Sequence, residues 1–209
     1  MAINLHILKA SGKLEKLEEK IKDAFNGGLE KIQAKIILPS VDVVVDDDAQ
    51  STIPETGVGG FAPSAHILYI HLNPEFKDLE NNLDFEIKST LAHELCHCAR
   101  WAVRGYGSTL LEALVSEGLA DNFDIEVNNS SPKPWNTAIQ QGELENLKQK
   151  AQKEFLYDEY DHKSWFFGSD EIPRWAGYSL GYMIVGEYLK RTNRKASEFI
   201  DKEAKLFIE

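Results

Sequence analysis

Residues 84–103 constrain this chain most. Ile87, Leu91, Leu95, Ala99 and Ala102 recur at intervals of four and three, the spacing of one helix face, and Gly105 marks the end of the pattern. The same stretch contains His93-Glu94-Leu95-Cys96-His97. Residues four apart on a helix share a face, so His93 and His97 can aim two imidazoles at one ion. Glu94 lies about a quarter turn round, near enough to reach a water on that ion. Two ligands and a carboxylate base are the parts of a zinc hydrolase. A five-residue pattern also arises by chance on exposed helices, so the reading needs support from elsewhere in the chain.

That support lies in the next predicted helix. Thr109-x-x-Glu112 has the form of a capping box, and Leu110, Leu111, Leu114, Val115 and Leu119 follow it. Glu117 is a carboxylate in this apolar stretch, where burial is costly unless the group is paired or binds metal. Asp121 falls one turn later on the same face. Metal-bound histidines usually donate their second N–H to a carboxylate, and Asp121 can accept one from His93. The competing reading places Glu117 and Asp121 on the exposed side of an amphipathic helix.

The rest of the chain supplies the fold class. Ile3, Leu5 and Ile7 alternate with polar residues, 41–45 is a β-branched run, and 65–72 is a strong strand candidate closed by Asn73-Pro74. Ser11 is positioned to cap a helix carrying Leu14, Leu17, Ile21, Ala24 and Phe25, with Gly27-Gly28 as its stop. Residues 46–48 read as a solvated acidic loop, and the Gly- and Pro-rich residues 49–64 as a loop. Further on, 128–136 read as a loop, 137–158 as a polar helix, 173–189 as a long helix opened by Pro173, and 195–208 as a final amphipathic helix. Strands first and helices after them make an α+β order. A length of 209 residues suits one domain, with a sheet lobe at 1–105 and a helical lobe at 106–209.

A net charge of -11 argues against nucleic acid and anionic membrane as partners, since phosphate binding needs a basic surface. Cys96 and Cys98 lie two apart on a helix and diverge, so they do not pair with each other. Free thiols, no basic leader and no long apolar run point to a soluble, cytoplasmic protein.

The spacing resembles that of the gluzincins, the metallopeptidases similar to thermolysin. They share the His-Glu-x-x-His helix, a glutamate ligand about twenty residues on and an aspartate four residues after it; here His97 to Glu117 is twenty positions and Glu117 to Asp121 is four. More narrowly, the chain resembles the bacterial family of predicted zinc-dependent proteases catalogued as DUF2268. The likeness is carried by residues 93–100, 109–123 and 173–182, and by Gly57-Val58-Gly59-Gly60. It implies a zincin-like fold, with a small mixed sheet, an active-site helix and a mainly helical C-terminal half. It also implies Zn2+ held by His93, His97 and Glu117, Glu94 as general base, and a peptide or protein substrate.

By the same resemblance a tyrosine or histidine stabilises the oxyanion. Tyr178 is the first candidate and Tyr182 the second, against the alternative that both rings pack in the core. His162, on a polar stretch, is a weaker option. Zincin substrates lie along an edge strand, expected here at 66–72, with His66 and Tyr69 as contacts. Arg100, one turn past His97, is a candidate partner for a substrate carboxylate, with a plain ion pair as the alternative. Cys96 reads as a small buried apolar residue. A zinc-binding regulatory or interaction protein with a silent site is the alternative function.

Overall fold

The computed structural model describes residues 1–209 and divides into two units, Met1–Val103 and Arg104–Glu209. The fold is α+β with a small mixed sheet. In the first unit, β1 (Ile3–Ile7), β2 (Val41–Asp46), β3 (Val58–Ser64) and β4 (Ile67–Leu72) form one sheet in the order β1-β2-β4-β3. The β1–β2 and β2–β4 pairs are parallel, and β3 runs antiparallel along β4. Val41, Val43 and Val45 on β2, and Leu68, Ile70 and Leu72 on β4, are buried in strict alternation. That period of two turns one face of the sheet into the core. Helix α1 (Glu18–Gln33) and helix α2 (Leu79–Val103) pack in this unit, with Ile21, Ala24, Phe25, Leu83, Ile87 and Leu91 buried.

Two expectations are corrected here. Gly27-Gly28 does not end α1, which continues to Gln33. A Cβ on Gly28 would lie 3.2 Å from Lys88 Cγ and 3.4 Å from Leu91 Cδ2, so the glycine allows α1 to approach α2 rather than stopping it. The stretch 49–64 is not all loop, because β3 occupies its second half. Gly59 and Gly60 read as turn residues in sequence, yet each lies where a side chain would meet neighbouring atoms. Gly59 abuts the Ser51 carbonyl and Gly60 abuts Glu94 and Thr90.

The second unit is helical: α3 (Leu110–Asn128), α4 (Gln141–Gln152), α5 (His162–Phe167) and α6 (Ala176–Thr192). Thr109 caps α3 as expected. Its hydroxyl accepts from the Glu112 amide, and the Glu112 carboxylate accepts from the amides of Ser108 and Thr109. Leu110 and Leu111, whose amides also lack helical partners, donate to the carbonyls of Tyr157 and Phe155. Helix α4 covers only the middle of the long polar helix expected over 137–158. Residues 195–208 form two short 3-10 segments, Ala196–Glu198 and Ala204–Ile208, in place of one helix. Phe199 and Phe207 still bury themselves, both against Tyr188, so the apolar pattern was met without a continuous helix. No helix is long and apolar enough to cross a membrane.

Candidate metal centre

Helix α2 delivers the two histidines together. His93 Nε2 and His97 Nε2 lie 3.1 Å apart, with the rings edge to face at 4.8 Å. His97 and Glu94 are both buried at 6% exposure, while His93 is half-buried. Glu94 lies beneath β3, where the missing side chain of Gly60 makes room for its carboxylate. Trp101 on the same helix donates from Nε1 to the Ala62 carbonyl of β3 at 3.2 Å, a second tie between the helix and this strand. Cys96 and Cys98 are both buried. Burial, with the Glu94 charge second, pushes the Cys98 thiol up to about 12. It therefore stays a neutral, inert core group at neutral pH.

Helix α3 delivers the acids. Glu117 and Asp121 are buried at 6% and 3% exposure, which removes the reading of an exposed helix face. Tyr106 Oη donates to Glu117 Oε1 at 2.6 Å. Trp135 Nε1 donates to Asp121 Oδ1 at 3.2 Å, and the Trp135 carbonyl accepts from Ser179 Oγ of α6 at 2.7 Å. The glycines Gly118 and Gly181 bring α3 and α6 into backbone contact: a Cβ on either would collide with the opposite helix's carbonyls.

His93, His97 and Glu117 each offer one ligand atom, and these atoms all lie within 4.8 Å of one another. Two imidazole nitrogens and one carboxylate oxygen are a donor set suited to zinc. This group could hold a metal.

Tyr178 packs edge-on to Phe166 at 5.1 Å. Tyr182 is half-buried, and burial, with the Asp121 charge second, raises its pKa, so it remains an O–H donor. Arg100 is buried, like Glu94 and His97. The substrate strand needs correction. β4 is flanked by β2 and β3, so its backbone is already paired, and the sheet's edges are β1 and β3. Tyr69 pairs with Phe61 and stacks on His71, on the sheet face opposite the buried Leu68, Ile70 and Leu72. His66 precedes β4, is exposed, and its Nδ1 lies 2.9 Å from the Ser40 carbonyl.

Nothing in the spacing points to Tyr106, Trp135 or Tyr160. The Tyr160 hydroxyl lies 3.0 Å from His162 Nδ1, and His162 stacks on Phe166. Burial, with the Glu117 charge second, pushes the Tyr160 phenol up to about 12. Burial lowers the His162 pKa, partly opposed by Glu117 and Asp161. The one sequence signal for this group is Gly105-Tyr106-Gly107, an aromatic between two glycines just ahead of a helix cap.

The chain has an α+β fold with a possible metal-binding triad, and its similarity to known proteins places it among predicted Zn-dependent proteases. The chain belongs to the DUF2268 family, described as "Predicted Zn-dependent protease", whose model matches residues 15–209. It is similar to the uncharacterized protein YjaZ of Bacillus subtilis (strain 168), 25% identical over 142 residues, 64% of this chain and 54% of that protein. The chain thus spans about half the length of this curated relative. No solved structure matches the chain significantly.

Proposed function

We propose that this chain is a gluzincin-type metallopeptidase that hydrolyses peptide bonds, with zinc held by His93, His97 and Glu117. The observation that carries the reading is the convergence of these three ligand atoms within 4.8 Å, with the buried carboxylate of Glu94 next to His93 in the chain. Zinc held by these residues would supply Lewis-acid polarisation of the scissile carbonyl and would bring the pKa of the attacking water toward neutrality. Glu94 takes the proton of that water and passes it to the leaving amine. Asp121, held by Trp135, orients His93. Tyr178 donates its phenol to the developing oxyanion, with Tyr182 the alternative donor.

An extended peptide lies along β3, the edge strand next to Glu94, not along 66–72. The absence of a side chain at Gly60 keeps this strand close to Glu94. His66 and Tyr69 were expected as contacts of an edge strand, which β4 is not.

The test is Glu94→Gln. The purified native chain is expected to carry near-stoichiometric zinc and to cleave members of a mixed peptide library. The variant should keep its zinc and lose about 10²–10⁴-fold in rate. Full activity in the variant refutes Glu94 as base. Zinc bound without cleavage of any peptide favours a silent, regulatory site. Phenylalanine at position 178 or 182 identifies the oxyanion donor by which of the two changes lowers kcat with little change in KM.

A further inference from the structure

Glu117 differs from the histidines in how it is held. The two imidazoles ride on a single long helix, whereas a glutamate has three side-chain torsions to fix. Its carboxylate is buried, and the 2.6 Å bond from Tyr106 has the length of a charge-assisted O–H···O⁻ hydrogen bond.

The turn that presents Tyr106 is itself tightly specified. Gly105 and Gly107 flank it at φ of 74° and 98°, backbone that side-chain-bearing residues rarely adopt. A Cβ on Gly107 would collide with Glu112. Glu112 in turn accepts from the amides of Ser108 and Thr109, which ties this turn to the first turn of α3. Glu117 lies on that same helix. The donor and the acceptor are therefore joined by a short, capped and sterically closed path.

We propose that Tyr106 is a positioning residue, which orients the Glu117 carboxylate for a divalent cation before the cation arrives. The inference rests on the metal reading above. A pre-oriented carboxylate loses less torsional freedom on binding, so the phenol strengthens metal affinity without touching the ion.

The experiment compares the full chain with Tyr106→Phe and with Phe199→Leu. The latter loosens the Tyr188–Phe199–Phe207 cluster of the same unit without touching Tyr106 or Glu117. Zinc affinity is measured by competition with a chromogenic chelator, alongside the melting temperature of each metal-free chain. The visible absorption of each cobalt-loaded chain reports ligand geometry. Tyr106→Phe should weaken zinc binding by about 10–100-fold and alter the cobalt bands. Phe199→Leu should lower the melting temperature with no change in either. Zinc affinity within twofold of the native value in Tyr106→Phe overturns the proposal. So does equal weakening in both variants, because affinity would then follow stability alone. Failure of the native chain to bind zinc instead overturns the metal reading, and the proposal with it.

Discussion

Gly60 lets strand β3 approach helix α2 because it lacks a side chain. Its Cα faces Thr90 and Glu94, and a methyl group there would press on both. Gly60→Ala should therefore act twice. Overpacking is expected to cost about 1–3 kcal/mol in stability, measured by urea unfolding. Displacement of the Glu94 carboxylate should lower peptide hydrolysis beyond what the stability loss explains. Retention of full activity would show that Glu94 does not depend on this contact. At the same scale His93, His97 and Glu117 were legible in sequence as a group that could hold a metal, because helical spacing is local and a carboxylate in an apolar helix stands out. Tyr106 and Trp135 were not. Each reaches its carboxylate through a turn whose path no periodicity records.

Among the elements, α3 and α6 show what small residues contribute to packing. Gly118 and Gly181 face each other so closely that neither tolerates a Cβ. Gly181→Ala should destabilise the chain by about 1–3 kcal/mol through overpacking, although alanine is the better helix former. A urea midpoint equal to or above the native one would contradict this contact. The elements differ in how well their sequences declared them. The α3 cap was readable because its box is a four-residue pattern. Strand β3 was hidden because its glycines answer to partners distant in sequence, Ser51 for one and Glu94 for the other. Gly27-Gly28 misled for the same reason, since a glycine that stops a helix and one that admits a neighbour look alike in sequence.

For the whole molecule, metal binding and stability are linked. An ion that binds only the folded chain adds about 2.7 kcal/mol when free ligand stands at 100 times its dissociation constant. Zinc should thus raise the melting temperature of the chelator-stripped protein. Glu94→Gln should retain that rise, and His97→Ala should lose it. An unchanged melting temperature in the native chain would count against the metal centre. Local patterning in the sequence determined the α+β order, the capped helix and the residue types of the candidate centre, because helical and strand periodicities repeat over a few residues. Only the tertiary structure decided that residues 66–72 lie inside the sheet with β3 at one edge, that Tyr106 donates to Glu117, and that His93, His97 and Glu117 converge within 4.8 Å. Each of these depends on chain segments meeting in space, where burial and steric fit, not sequence neighbours, set the partners.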